Sequence, residues 1–153
     1  GFLSISISEI LSPKFGQLEE SVQFNYMFDV EWLVKQYDAS FRKLPLLIVF
    51  GNKANNLEIE QMDNQVKNYQ NIKLCPVRLT NMFGTHHTKM MLLKYENGIR
   101  IVIHTANLVA GDWNEKTQGV WLSPLFPHLG PNHSKEDNST TKFKLFNCNF
   151  NYG

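Results

Sequence analysis

The sequence predicts a layered α/β domain, and three observations predict it. Apolar stretches of strand length recur along the chain, separated by segments of helical or polar character. The run Leu46-Leu47-Ile48-Val49-Phe50 is apolar throughout, as suits a strand buried on both faces. Two β-rich runs, Lys89 to Tyr95 and Ile99 to Thr105, are joined by Glu96-Asn97-Gly98, and Asn-Gly is the strongest short hairpin signal. With 42% hydrophobic residues in a chain of 153, there is enough apolar material to fill the core of one domain.

The elements follow in order. Leu3, Ile5 and Ile7 alternate with serines, which predicts a half-buried strand, then a short helical turn through Leu11 that Ser12-Pro13 ends. Val22, Phe24, Tyr26 and Phe28 alternate in the same way and predict a second strand. Asp29 is placed to cap a helix whose Val30, Leu33, Val34 and Tyr37 fall on one face. After the buried strand, 57–69 reads as an exposed helix and 72–79 as a strand. The hairpin comes next, and Gln118 to Leu122 gives a last strand. Residues 1–127 are expected to hold the folded domain. Residues 128–142 are rich in His, Asn, Ser, Thr and charge and read as a loop; the Phe- and Asn-rich tail beyond Lys142 has no clear period.

Composition excludes several classes. Fifteen basic side chains against 14 acidic leave a net charge of +1, so any contact with nucleic acid must be local rather than a broad basic surface. Cys75 and Cys148 fit neither a disulfide framework nor a metal-ligand pair by spacing. No apolar run approaches the roughly 20 residues of a membrane span. The start, Gly1-Phe2-Leu3-Ser4-Ile5, lacks the basic region of a secretory signal and an initiator Met, so the chain is expected to begin inside a longer product.

The chemistry gathers on the hairpin. His87 and Lys89 are two apart at a strand entry and so point to the same face. Asn107 ends the run His104-Thr105-Ala106-Asn107 and, in a hairpin centred near Asn97, lies about opposite His87. Neutral imidazole is a competent nucleophile toward phosphorus. An ammonium and a carboxamide can stabilise the non-bridging oxygens as negative charge spreads over them. No nearby cluster of Asp, Glu or Cys suggests a metal, and no cofactor is called for. A His-x-Lys pair also arises often by chance. Spacing alone defines a candidate phosphate site and nothing narrower.

Three segments carry a resemblance. They are Phe83-Gly84-Thr85-His86-His87-Thr88-Lys89-Met90-Met91-Leu92-Leu93, Ile103-His104-Thr105-Ala106-Asn107-Leu108, and the run from Asp112-Trp113-Asn114 through Gln118 to Leu125. With Gln23-Phe24-Asn25-Tyr26 and Trp32-Leu33-Val34-Lys35-Gln36-Tyr37, they resemble the tyrosyl-DNA phosphodiesterase family of the phospholipase D superfamily over about residues 8–127. The wider superfamily places Asp five residues after the motif Lys; here that position is Lys94, as in the tyrosyl-DNA phosphodiesterase branch.

The resemblance implies an α/β/α phospholipase D-like domain with a mixed sheet, one half of a pseudo-two-fold pair. It implies that His87 attacks a 3′-phosphodiester to give phosphohistidine, that Lys89 and Asn107 bind its non-bridging oxygens, and that Gln118 orients the histidine of the other half-site. Phe83 matches an aromatic that stacks on the DNA strand. His86 is expected to be only a neighbour, and Trp113 and Trp121 to be core; Gln118 without the resemblance is as readily a surface amide.

The implied partners are DNA 3′ ends, single-stranded DNA and a topoisomerase-derived tyrosyl peptide, with residence in the nucleus. The sequence holds one half-site. A second His-x-Lys, His133-Ser134-Lys135, sits in the polar loop with no buried strand behind it and reads as chance. The expected protein is thus the N-terminal half of a metal-independent phosphodiesterase, truncated or paired with a second half-domain. The competing readings are a non-catalytic DNA-end-binding module and a homodimeric phospholipase D-like nuclease.

Overall fold

Leu46 to Phe50 is part of a strand with parallel neighbours on both sides, as its unbroken apolar character requires. The computed structural model describes residues 4–52, 56–79 and 84–128. In chain order the elements are α1 (Ile7–Ile10), a 3₁₀ turn at Pro13–Phe15, β1 (Leu18–Phe24), α2 (Val30–Gln36), β2 (Leu46–Asn52), α3 (Leu57–Val66), β3 (Ile72–Arg78), β4 (Met90–Tyr95), β5 (Gly98–His104), α4 (Ala110–Asn114), β6 (Val120–Leu122) and β7 (Phe126–Pro127). The strands form one mixed sheet in the order β3-β2-β1-β4-β5-β6, with β7 also pairing β5. β1, β2 and β3 run parallel, and the pairs from β1–β4 to β5–β6 are antiparallel.

One face of this sheet builds the core. The registers align a row across it: Leu74, Ile48, Gln23, Met91, Val102 and Leu122. Helices α1 through Ile7 and Ile10, α2 through Val30 and Leu33, and α3 through Met62 pack on that side, with Trp113 of α4 against the same cluster. Stepping β1 to β2 to β3 in one direction with crossovers of the usual right hand puts α2 and α3 on a common face. Gln23 is a polar residue in the middle of this row, fully buried, and its Nε2 donates to the buried Tyr37 hydroxyl at 2.9 Å. Burial pushes that hydroxyl up to about 12, so it stays protonated.

Local chemistry sets the boundaries. Asp29 caps α2 by accepting from the Trp32 N–H at 2.9 Å. Ser6 and Glu9 form a reciprocal capping box, so the chain turns into α1 at Ile7 and the strand predicted from the Ile5–Ile7 alternation does not form. β1 begins at Leu18, earlier than the alternation from Val22 indicates, because Lys94 of the neighbouring strand pairs with Glu19 and Glu20. It ends at Phe24: the Asn25 carboxamide accepts from the N–H of Tyr26 at 2.7 Å and turns the chain, leaving Phe28 only an isolated bridge to Leu108.

The hairpin turns on Glu96 and Asn97, with Tyr95 paired to Gly98. Gly98 has φ +154°, and a Cβ there would lie 2.1 Å from the Phe126 carbonyl oxygen. Only glycine lets β7 close on β5 at this point. At the other end of β5, His104 is 5% exposed and its Nδ1–H donates to the Ala106 carbonyl at 3.0 Å. Burial, above all, pushes its pKa down to about 4. Phe83, His133-Ser134-Lys135 and the segment 129–153 lie outside the described residues.

Two stability measurements test this reading. Gly98→Ala is expected to cost about 1–3 kcal/mol in urea unfolding, and an unchanged midpoint would mean that β7 does not press on Gly98. For His104, both states are neutral above pH 6.5, the ordinary histidine value. As pH falls from 6.5 toward 4 the unfolded chain takes up a proton that the native one refuses, so stability is lost over that window and levels off below it. The loss is about 3 kcal/mol in full, and His104→Asn, whose Nδ2 can replace the bond to Ala106, should flatten this part of the pH profile.

Candidate active site

The site lies at the carboxyl end of the parallel strands, where sheets of this kind bind ligands. Because β4 runs antiparallel to β1, its beginning at Met90 sits beside the end of β1 at Phe24. Lys89 is the residue before β4, and its carbonyl accepts from the His104 N–H at 3.2 Å, which carries the β4–β5 ladder one step beyond the strand ends. His87 lies two residues before Lys89, ahead of the strand, and is exposed, its ring 4.9 Å from that of Tyr26.

Lys89 is 9% exposed, and its Nζ stands 3.1 Å from His87 Nδ1 and 3.4 Å from the His87 carbonyl. An ammonium has no lone pair, so it donates and Nδ1 accepts; the ring proton of neutral His87 is then on Nε2. Desolvation pushes the Lys89 pKa down, and the Asp112 carboxylate works against that shift. His87 and Lys89, expected to point to the same face, are in direct contact.

Asn107 reaches the same edge. It lies three residues past the end of β5, and the Asp112 carboxylate that binds it also acts on the Lys89 ammonium. Its partner is Asp112, whose Oδ2 accepts from the Asn107 backbone N–H at 2.7 Å and from Nδ2 at 2.9 Å. Asp112 is 7% exposed, and its Oδ1 takes the Lys116 ammonium at 2.6 Å. Lys116, then the Asn107 backbone, hold its carboxyl below the usual range, so it is ionised at neutral pH.

Gln118 bonds elsewhere. Its Oε1 accepts from the Thr105 hydroxyl at 2.6 Å, and the same hydroxyl accepts from the Gly119 N–H. It braces the approach to β6 beside the site and makes no hydrogen bond to His87, Lys89 or Asn107. His86 packs inward, with its Cβ against Gly51 and its ring 6.5 Å from that of Phe24. Trp113 meets the core and stacks at a tilt on His104. Trp121, expected in the core, is instead half exposed beside Ile103, because the odd residue of β6 faces away from the helices.

Two residues without a predicted role complete the edge. One is Asp112; its signal in the sequence is an acid in the first turn of a short helix with Lys116 four residues on. The other is Asn25, fully buried, whose Nδ2 donates to the Ala106 carbonyl at 3.3 Å and so ties the end of β1 to the Asn107 segment. The arrangement offers a cation, a carboxamide N–H and an accessible imidazole on one edge. Among the described residues no three His, Cys, Asp or Glu side chains converge to hold a metal, and no helix is long and apolar enough to cross a membrane.

Comparison with known proteins shows the family. The family model described as tyrosyl-DNA phosphodiesterase matches residues 3–147. Tyrosyl-DNA phosphodiesterase 1 of Drosophila melanogaster is 41% identical over 130 residues, covering 83% of this chain and 21% of the relative. Its Arabidopsis thaliana counterpart is 34% identical over 118 residues, 77% of this chain and 18% of the relative. In fold, the chain is similar to the crystal structure of the yeast tyrosyl-DNA phosphodiesterase, with a TM-score of 0.60 and 21% identity over 82% of this chain and 30% of that one. The chain thus spans about a fifth of the length of the curated relatives it matches. It belongs to the tyrosyl-DNA phosphodiesterase family.

Proposed function

We propose that this chain supplies one half of a metal-independent phosphodiesterase site that acts on 3′-phosphotyrosyl and related blocked 3′ ends of DNA. The observation that carries the reading is the Lys89–His87 contact at the end of a sheet whose partner strand leads to Asn107. In this reading Lys89 and Asn107 take the non-bridging oxygens. An arriving phosphate competes for the Lys89 ammonium and draws it off Nδ1, which frees the lone pair of His87 when phosphorus is in place. The imidazole attacks, a P–N bond forms, and the bond from phosphorus to the tyrosyl oxygen breaks. A second half-domain protonates the departing oxygen and then activates the water that cleaves phosphohistidine.

Lys89 and Asn107 lower the barrier because they meet charge that grows in the transition state, in a site already partly dry. Phe83 stacks on a nucleobase of the single strand behind the 3′ end, and Gln118 orients the partner's histidine. Such an enzyme removes topoisomerase-derived tyrosyl peptides in DNA repair, which places it in the nucleus.

The test is incubation with a 3′-phosphotyrosyl oligonucleotide in EDTA over a wide range of protein concentration. A covalent phosphohistidine adduct on His87, formed with release of tyrosine and without turnover, is expected of one half-site; a rate rising steeply with concentration would mean that two copies complete it. His87→Ala should form no adduct, and Lys89→Ala should slow its formation about 10²–10³-fold. Binding without any adduct would make the chain a DNA-end-binding module and contradict the proposal.

A further inference from the structure

We propose that Asp112 is the positioning residue of this half-site: its carboxylate locks the Asn107 carboxamide so that one Nδ2 hydrogen is held free for a phosphate oxygen. The inference rests on the proposed function and adds to it the residue through which Asn107 acts. It begins from the bond pattern. A carboxylate oxygen accepts and never donates, so the Asn107 atom 2.9 Å from Asp112 Oδ2 is the amide nitrogen and not its oxygen. The same Oδ2 takes the Asn107 backbone N–H at 2.7 Å. Two bonds from one residue to one oxygen close a ring through the Asn107 side chain and fix both its torsions. Turning the amide over would set two oxygens against each other.

The rest of the surroundings serves that lock. Lys116 grips Oδ1 at 2.6 Å, which fixes the plane of the carboxylate and offsets a charge that would otherwise repel a phosphate. Asp112 is 7% exposed, so water competes little for these bonds. With one Nδ2 hydrogen on Asp112, the second has no acceptor among the described residues, and it is the donor left for a ligand. The same carboxylate raises the proton affinity of Lys89 against its desolvation, so one buried charge supports two groups of the site.

A double-mutant cycle on the full chain tests this. Equilibrium binding of the 3′-phosphotyrosyl oligonucleotide in EDTA would be measured for Asn107→Ala, Asp112→Ala, the double variant and Asp112→Asn. Asp112→Ala is expected to weaken binding about tenfold, as Asn107→Ala does, through loss of a charge-assisted bond. The double variant should be no weaker than either single one, because both remove the same donor. Asp112→Asn, which keeps an acceptor oxygen, should restore most of the binding. Wild-type binding by Asp112→Ala beside weakened Asn107→Ala would overturn the inference and leave the proposed function standing, as would losses that multiply. Wild-type binding by Asn107→Ala would overturn both. If Asp112→Ala does not fold, NMR of the unaltered protein decides: the Asn107 side-chain amide signals should move as acid protonates Asp112, and unmoved signals would refute the lock.

Discussion

The register of the β4–β5 hairpin is the constraint on which the rest of this structure depends. It is set by the two-residue turn at Glu96 and Asn97 and held by Gly98, against which the backbone of β7 closes. With β4 anchored on β1, a slip of β5 by one residue would send Val102 out of the core and turn Ile101 and Ile103 into it. The same slip would separate the Lys89 carbonyl from the His104 N–H. Core and site are thus fixed by one choice of pairing, some ten residues away from the chemistry along each strand.

Polar groups at the far end of that hairpin are held by a small buried network. The Ala106 carbonyl accepts from both Asn25 Nδ2 and His104 Nδ1, so β1 and β5 are joined where the sheet gives way to the site. Burial keeps His104 neutral against the pull of the Ala106 carbonyl, which keeps a second positive charge away from Lys89. Lys89 brings a buried ammonium to this edge. Its present partner, the His87 ring, is a weaker acceptor than a phosphate oxygen, so a ligand can displace it.

Much of this was legible where the cause is local. The Asp29 cap, the apolar run of β2 and the hairpin each depend on residues close in sequence, and each was found. The resemblance pointed to His87, Lys89 and Asn107; the first two are in direct contact, and Asn107 follows the end of β5. Where a competing interaction decided the outcome, the pattern misled. The Ser6–Glu9 capping box overrode an apolar alternation, and cross-strand pairing with Lys94 allowed Glu19 and Glu20 to sit in β1. Asp112 was not legible as part of the site, because its role lies in a tertiary bond to Asn107 that no periodicity marks.

The central claim is that this edge is a phosphate site assembled by the hairpin. Titration of isotope-labelled protein with inorganic phosphate, followed by NMR at the His87 ring, the Lys89 ammonium and the Asn107 side-chain amide, tests it most directly. The account predicts that all three signals move together along one binding curve while the Tyr95–Gly98 turn stays still. Separate curves for the three groups, or shifts confined to lysines elsewhere on the surface, would contradict it.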